Sequence, residues 1–270
     1  MINQTARFDG TIPTNYESGL GPHLFVDYAS DLARRVAVRK PGCVLEIAAG
    51  TGILTRMLRD ALPNSTRLVA SDLNLPMLEL ARQKFSTDEK IEFRPADAIA
   101  LPFEDDTFDM LVCQFGVMFF PDKDKSYREA YRVLASGGRY HFNVWDSFDF
   151  NPFARISHET VRGFFREDSP TFFTVPFGYH RIDAIKASLL DAGFDDISVH
   201  VLKIDKTIPE ARRLAQGLIF GNPIIEEICA RGTTNPGAIV DAVTVALQSA
   251  FGQDPARMPL QAIIFGALKR

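Results

Sequence analysis

The feature that most constrains this chain of 270 residues is an apolar run that ends in a glycine-rich turn. Residues 44–55 read VLEIAAGTGILT, and Asp72 follows twenty residues after Gly52, at the end of a second apolar run. This order predicts a buried strand, a tight turn and a helix whose N-terminal N–H groups face a ligand. Because an acidic residue at this spacing binds ribose hydroxyls in nucleoside-binding βαβ units, we expect Asp72 to hold a ribose.

The rest of the chain repeats this alternation of strands and helices. Helices are predicted over residues 24–38, 53–62, 76–85, 125–134 and 182–191, and strands over 44–48, 67–71, 91–94, 108–115, 139–145, 197–204 and 260–268. Gly137 is expected to cap the fourth helix in a left-handed conformation. Since each parallel step needs a crossover, the fold class is α/β, a Rossmann-like seven-stranded mostly parallel sheet with helices on both faces and strand 7 antiparallel.

Two stretches interrupt the alternation and are predicted to be helical cap insertions. Residues 147–180 contain eight phenylalanines without a strand pattern, and residues 206–257 contain helices broken at Gly-Asn-Pro and Asn-Pro-Gly. We therefore expect a single domain over residues 1–270, with a core made of about 24–146, 181–205 and 258–270.

Composition limits the classes of partner. The formal net charge of −4 gives no basic surface for nucleic acid, and a small molecule is the expected partner. The N-terminus has no continuous apolar region typical of an export signal, and no apolar run approaches the roughly 20 residues that span a bilayer. A cytoplasmic protein without a membrane span is expected, and its oligomeric state stays open.

The glycine turn discriminates among cofactors. A phosphate-binding loop requires Gly-Lys-Ser/Thr, but no basic residue occurs before Arg56. The dinucleotide fingerprint requires a third glycine, where this chain has Thr55, so NAD is disfavoured and an NAD-linked reductase is a secondary alternative. S-adenosyl-L-methionine, which carries no phosphate and needs a carboxylate for its ribose, is the cofactor that the turn and Asp72 favour.

Over residues 20–146 the chain resembles the class I SAM-dependent methyltransferases, within the small-molecule group of type 11 and ubiquinone/menaquinone-biosynthesis enzymes. The resemblance rests on five motifs in order, which are 46–52 (EIAAGTG), 71–78 (SDLNLPML), 96–103 (ADAIALPF), 108–109 (FD) and 132–139 (RVLASGGR). Ala48 stands where the family has its first loop glycine, and we expect it to keep a negative φ.

The resemblance implies a role for each matching residue. Glu46 and the loop backbone would hold the methionine end, Asp72 the ribose, and Asp97 with the Ala98 N–H the adenine. The full set of implied cofactor-binding residues is Phe25, Tyr28, Glu46, Ala48, Gly50, Gly52, Asp72, Leu73, Met77, Asp97, Ala98, Gln114 and Phe115.

The chemistry at the acceptor is less constrained. His158, His180 and Tyr179 are candidate general bases, although the activated methyl group can also be transferred to a well-aligned acceptor without a base. No metal is expected. After strand four the chain has Gln114-Phe115-Gly116-Val117, which matches neither the Asn/Asp-Pro-Pro-aromatic turn of nucleic-acid amino-methyltransferases nor the Arg-Asn pair of the quinone subgroup.

The sequence thus predicts a SAM-dependent methyltransferase that transfers a methyl group by direct displacement to a small, apolar or aromatic acceptor. The phenylalanine-rich insertion suggests that acceptor class, because ligand pockets are lined largely by apolar side chains. A SAM-binding sensor or assembly protein without catalytic activity is the alternative from another class.

Overall fold

A computed structural model describes residues 7–232 and 234–270 and contains a seven-stranded sheet of order β3-β2-β1-β4-β5-β7-β6. Neighbouring strands from β3 through β5 pair in parallel. The strands are β1 Cys43–Ile47, β2 Arg67–Asp72, β3 Ile91–Pro95, β4 Phe108–Gln114, β5 Leu134–Trp145, β6 Asp195–Ile208 and β7 Ala256–Leu268. β7 is antiparallel to β5, since Lys269 pairs with the Gly137–Gly138 end and Gln261 with Asp146. The predicted fold class is confirmed.

The chain divides into two compact units, which are described separately. Unit 2 comprises Val26–Val144, His180–Val201 and Ile263–Arg270, and unit 1 comprises the described residues up to Phe25, Trp145–Tyr179 and Leu202–Ala262. The predicted organisation as one domain with a core and cap insertions stays a prediction.

Unit 2 contains the carboxyl ends of the first four strands and five α-helices. These helices are α2 Val26–Ala37, α3 Ile53–Ala61, α4 Leu75–Arg82, α5 Lys123–Val133 and α8 Ile182–Asp191. Apolar residues of β1, β2 and β4 are buried almost completely, as expected for strands covered on both faces.

Unit 1 is mainly helical. It contains α1 Ile12–Asn15, a π-helix over Tyr16–Phe25, α6 Pro152–Arg162, α7 Thr174–Gly178, α9 Ala211–Phe220, α10 Ile224–Arg231 and α11 Pro236–Phe251. Gly19 of the π-helix and Gly217 of α9 let the two backbones touch, since a Cβ on either would come within 2.8 Å of the other glycine.

Several predicted helix boundaries differ from the structure, and two of the differences have a clear physical reason. The α-helix expected from residue 24 begins at Val26, because the preceding turns are π-helical and contain Pro22, which has no N–H to donate. α5 ends at Val133, and Gly137, at φ +81°, lies inside β5 instead of capping the helix. A bulge explains this position, since Leu134 pairs with Phe108 but Arg139 pairs with Met110, which leaves extra residues on β5.

Among residues 7–232 and 234–270, no helix is both long and apolar enough to cross a membrane. The cytoplasmic location stays a prediction.

Candidate cofactor site and aromatic stack

The loop between β1 and α3 is tied to the end of β2 by hydrogen bonds. The Gly50 N–H donates to Asp72 Oδ2 at 2.8 Å, and the Ala49 N–H donates to the Ser71 carbonyl at 2.9 Å. Asp72 Oδ1 accepts the Asn74 N–H at 2.8 Å, immediately before α4 begins. The glycine turn and the carboxylate, which the sequence predicts to act together, are therefore neighbours.

Asp72 is a buried acid, with 6% of its surface exposed. Burial raises the pKa of its carboxyl group, and the N–H groups of Asn74 and Gly50 counteract part of that rise because they stabilise the charged form. The carboxylate is thus oriented by backbone groups before a ligand binds, which suits recognition of a pair of hydroxyls.

Glu46 lies next to this loop, at the carboxyl end of β1. Its Oε2 accepts a hydrogen bond of 2.6 Å from the Thr55 hydroxyl, and Ser71 Oγ donates to its carbonyl at 2.9 Å. Burial raises the pKa of Glu46 to about 8, and the negative charge of Asp72 adds to that rise. A cation placed nearby would favour the ionised form of Glu46. The ammonium group at the methionine end of the cofactor is such a cation.

Thr55 is a site residue that sequence reasoning did not assign. It stands where the dinucleotide fingerprint has its third glycine, and here its hydroxyl holds the buried Glu46 carboxyl group. The available signal was its position in the first turn of α3, directly after the glycine loop.

The expectation that Ala48 keeps a negative φ was wrong, because its φ is +55°. Glycine adopts this left-handed conformation freely, whereas a residue with a Cβ is destabilised there by about 1–2 kcal/mol. Space for this Cβ comes from Gly116, after β4. A Cβ built on Gly116 would lie 2.6 Å from the Ala48 Cβ and 2.7 Å from Cys113 Sγ. Gly116 therefore compensates for the alanine in the loop.

The two loop glycines that the chain keeps have different surroundings. Gly52, at φ +80°, precedes α3, and a Cβ there would lie 2.9 Å from the Ala81 Cβ of α4. Gly50, at φ +56°, is more open, with Met77 Cε at 3.8 Å as the nearest heavy atom to an added Cβ. Gly52 thus permits close helix packing, and Gly50 leaves open space at its Cβ position.

The predicted adenine-binding residues lie after β2 and β3. Asp97 is half-buried, its Oδ1 accepts the Ile99 N–H at 3.1 Å, and its carbonyl accepts the Ala100 N–H at 2.9 Å. Ala98 and Met77 are buried, whereas Leu73 is a large apolar side chain with 40% of its surface exposed. An exposed leucine beside a buried carboxylate suits contact with a flat ring.

The end of β4 is held by the neighbouring strand. The Phe115 N–H donates to Asn143 Oδ1 at 2.9 Å, and Phe115 has a left-handed φ of +51°. The Phe115 ring packs edge-on against Tyr28, with centroids 5.3 Å apart. Asn143 was not predicted. It pairs with the half-buried Gln114 in the β4–β5 register, and within the described part of the chain its buried Nδ2 has no hydrogen-bond partner.

Phe25 and Tyr28, predicted to act together, fall in different compact units. Within unit 1, Phe25 stacks on Tyr16 at 5.0 Å and contacts Trp145 at 6.2 Å. Tyr28, in unit 2, is fully buried, and burial raises the pKa of its hydroxyl group. Contact of either ring with the cofactor stays a prediction.

Unit 1 contains a stack of four rings, here called the aromatic stack. Its members follow one another as Trp145, Phe177, Phe148 and His158, with centroid separations of 5.7, 5.3 and 5.6 Å and angles of 24°, 23° and 16° between successive planes. Of the three candidate bases, only His158 is in this stack. Tyr179 and His180 follow α7, at the chain position where unit 1 passes into unit 2.

Comparison with known proteins identifies the chain. A sequence profile of the ubiE/COQ5 methyltransferase family matches residues 24–150. The ubiquinone/menaquinone biosynthesis C-methyltransferase UbiE of Escherichia coli is 32% identical to the chain over 181 residues, which are 61% of this chain and 71% of the relative. The chain belongs to the ubiE/COQ5 methyltransferase family. It is a SAM-dependent methyltransferase with a small-molecule substrate, and the comparisons do not favour a non-catalytic sensor or a reductase.

Solved structures share the fold of this methyltransferase. The YcgJ protein of Bacillus subtilis aligns with a TM-score of 0.55 and 21% identity, covering 90% of this chain and 99% of that protein. Phosphoethanolamine N-methyltransferase 2 of Haemonchus contortus, solved with phosphomonomethylethanolamine and S-adenosylhomocysteine, aligns with a TM-score of 0.60 and 18% identity over 95% of this chain and 57% of its own.

The residues at the ends of β1 and β2 fit S-adenosyl-L-methionine. Besides the oriented Asp72 carboxylate and the open face of Gly50, the Thr51 hydroxyl in the loop is buried and has no hydrogen-bond partner among the described residues. Such a group suits a polar ligand, since buried polar atoms are normally paired. No three His, Cys, Asp or Glu side chains of the described ranges form a metal-binding group, and chemistry without a metal stays a prediction.

Proposed function

We propose that this methyltransferase acts on a small, apolar acceptor that contains an aromatic ring, by direct displacement at the methyl carbon. The observation that carries the proposal is the aromatic stack of unit 1. Its rings are nearly parallel, which is the arrangement that another flat ring can extend. Trp145 and Phe177 are buried, whereas Phe148 and His158 are partly exposed, so one end of the stack is accessible.

The proposal assigns cofactor binding to unit 2, through the predicted residues that belong to that unit. Asp72 would bind the ribose hydroxyls, Glu46 the ammonium group, and Asp97 with Ala98 the adenine edge. Leu73 and Met77 would cover the adenine face, Gln114 and Phe115 would line the sulfonium region, and Tyr28 would complete the site. S-adenosyl-L-methionine supplies a methyl group already activated by a positively charged sulfur, so the protein has mainly to orient the acceptor.

The relative from Escherichia coli is named a ubiquinone/menaquinone biosynthesis C-methyltransferase. A phenolic or quinol ring is the acceptor type that the aromatic stack supports. This chain has Gln114-Phe115-Gly116-Val117 after β4, without the Arg-Asn pair of the quinone subgroup. We therefore assign the acceptor by chemical class and not by the relative's substrate.

The test is the rate of S-adenosylhomocysteine formation with a panel of phenols, quinols and aliphatic carboxylic acids. We expect turnover with at least one phenol or quinol and none with the acids, because the acids offer no ring to the stack. Asp72→Ala serves as the negative control, because we expect it not to bind the cofactor. Asp183→Ala removes an exposed acid on α8 and should behave like the wild type. Turnover confined to the acids would contradict the proposal, and cofactor binding without turnover of any acceptor would favour a sensor.

A further inference from the structure

The two edge strands of the sheet differ in length and in composition. At one edge, β3 has 5 residues and ends in Pro95, which has no backbone N–H to donate. At the other edge, β6 has 14 residues, and its run 197–208 contains no proline, glycine or left-handed residue. Natural proteins usually keep an edge strand short or interrupt it, because its outward N–H and C=O groups can pair with another strand. Over this run the β6 edge lacks both protections.

The second half of β6 presents two opposite charges on one face. Lys203, Asp205 and Thr207 are exposed, and the residues between them are half-buried. Because side chains alternate along a strand, Lys203 and Asp205 lie on the same face, two positions apart. Charges of one sign on an edge strand prevent it from pairing with a copy of itself. Opposite charges at this spacing instead match an antiparallel copy.

Both charged groups can reach a partner beyond the sheet edge. Within residues 7–232 and 234–270, Lys203 has no carboxylate at ion-pair distance. Asp205 Oδ2 lies 3.8 Å from Arg257 Nη2, and the two side chains are 65% and 74% exposed. An exposed ion pair of this kind contributes little to stability, so the Asp205 carboxylate can accept a second cation at small cost.

We propose that β6 pairs antiparallel with β6 of a second copy of this chain, about a two-fold axis at Ile204, so that the sheet continues across a homodimer. In this register Lys203 lies opposite Asp205 of the partner subunit, and the symmetry forms this pair twice. Ile204 lies opposite its own copy, which gives an apolar pair on the half-buried face. An axis at Lys203 or at Asp205 would place like charges opposite each other, so the charges specify the register. The inference goes beyond the proposed function and does not depend on it.

Charge reversal tests the pairing, with the dissociation constant of the dimer measured by sedimentation velocity over a series of protein concentrations. Lys203→Asp and Asp205→Lys each replace two attractive pairs by two repulsive ones, so each should raise the dissociation constant about 30-fold. The two changes shift the net charge in opposite directions, so a general charge effect would not raise both constants. The double variant exchanges the two charges and should return to within about threefold of the wild type. Asp183→Lys, at an exposed position of α8, is the matched control and should dimerise like the wild type.

A cross-linking test addresses the register. Directly opposite Cα atoms of an antiparallel pair are about 4.5–5.5 Å apart, which is within the range of a disulfide. With the exposed Cys229 replaced by serine, Ile204→Cys should form a disulfide-linked dimer on mild oxidation. Leu202→Cys, on the same half-buried face, is the matched control. Its two copies would be offset by four residues, about 13 Å, and should not be cross-linked.

Each outcome decides for or against the paired edge. Rescue by the double variant, together with a cross-link at residue 204, would support it. A wild-type protein that stays monomeric at every concentration up to its solubility limit would overturn it. A dimer that is insensitive to both charge reversals, or one that is weakened by each reversal but not restored by the double variant, would also overturn it, because its interface would lie elsewhere or in another register. The proposed function is tested separately, by S-adenosylhomocysteine formation, and its success or failure leaves this result unchanged.

Discussion

The cofactor loop of unit 2 and the aromatic stack of unit 1 are built in opposite ways. The loop is polar, and its hydrogen bonds join residues at most 25 positions apart. The Gly50 N–H donates to Asp72, and the hydroxyl groups of Thr55 and Ser71 donate to Glu46. The stack is apolar, and a network in which Asn151 and Gln261 are 110 positions apart holds its loop in place. Under the proposed function, the comparison teaches that cofactor recognition is encoded mainly by nearby residues, whereas acceptor recognition depends on packing between distant segments.

The largest effect is expected when only the Asp72 carboxylate, which accepts the Gly50 N–H of the loop, is removed. Asp72→Ala should weaken S-adenosylhomocysteine binding at least 100-fold, about 3 kcal/mol, because hydrogen bonds to a charged group contribute about 1.5–3 kcal/mol each. Titration calorimetry measures the affinity, with Asp183→Ala as the control. Trp145 belongs to the aromatic stack, so its fluorescence should change when phenol binds there. This change should persist in Asp72→Ala, which alters only the cofactor loop. Unchanged cofactor affinity would remove Asp72 from the site.

The next effect tests a long-range contact of the loop, the approach of Gly116 to Ala48. Gly116→Ala should lower the free energy of unfolding by about 2 kcal/mol and weaken cofactor binding, since its Cβ meets Ala48 and Cys113 at 2.6 and 2.7 Å. Urea unfolding and calorimetry check both quantities.

Two further variants make this result specific. Ala48→Gly should partly rescue Gly116→Ala, because it removes one of the two clashes and the left-handed strain at residue 48. Gly178→Ala is the matched control, since a Cβ there meets no heavy atom within 4 Å. If Ala48→Gly brings no rescue, the two positions are not coupled.

A smaller effect is expected in the aromatic stack. Phe148→Leu removes the ring between Phe177 and His158, and each aromatic pair contributes about 0.5–1.5 kcal/mol beyond its buried area. The KM for a phenolic acceptor should rise about tenfold, with no change in the affinity for S-adenosylhomocysteine. Phe150→Leu, two residues away and 50% exposed, should leave both constants unaltered. A shift in cofactor affinity in Phe148→Leu would contradict the separation of roles.

The last effect, about 1 kcal/mol per pH unit, concerns the proton on Glu46. Its pKa is raised from 4.5 to about 8 by burial, so the folded state holds a proton that the unfolded state has lost between these pH values. The stabilisation by this proton is complete below pH 4.5, and the free energy of unfolding should then fall by about 1 kcal/mol per pH unit as the pH rises towards 8. Glu46→Gln should abolish this slope in urea unfolding at a series of pH values.

Cofactor binding supplies a second measurement on the same residue. If the ammonium group binds near Glu46, the wild type should release a proton when S-adenosylhomocysteine binds, and calorimetric heats should vary with the ionisation enthalpy of the buffer. Heats that vary equally in wild type and Glu46→Gln would mean that the released proton comes from another group.

The sequence alone determined the fold class and the position of the cofactor loop. Residues 44–55 and Asp72 were sufficient because strand, turn and helix are specified by neighbouring residues, and parallel strands bring their carboxyl ends to one edge of the sheet. The order of five motifs then separated the methyltransferase family from other nucleoside-binding proteins.

Only the tertiary structure decided the contacts between distant segments. The left-handed Ala48 is possible because Gly116 lacks a Cβ, and Phe115 is held by Asn143, which belongs to the next strand. Of the three candidate bases, His158 packs its ring on Phe148, whereas Tyr179 and His180 follow α7. Such contacts depend on which side chains meet after the chain has folded, and no local periodicity or spacing contains that information.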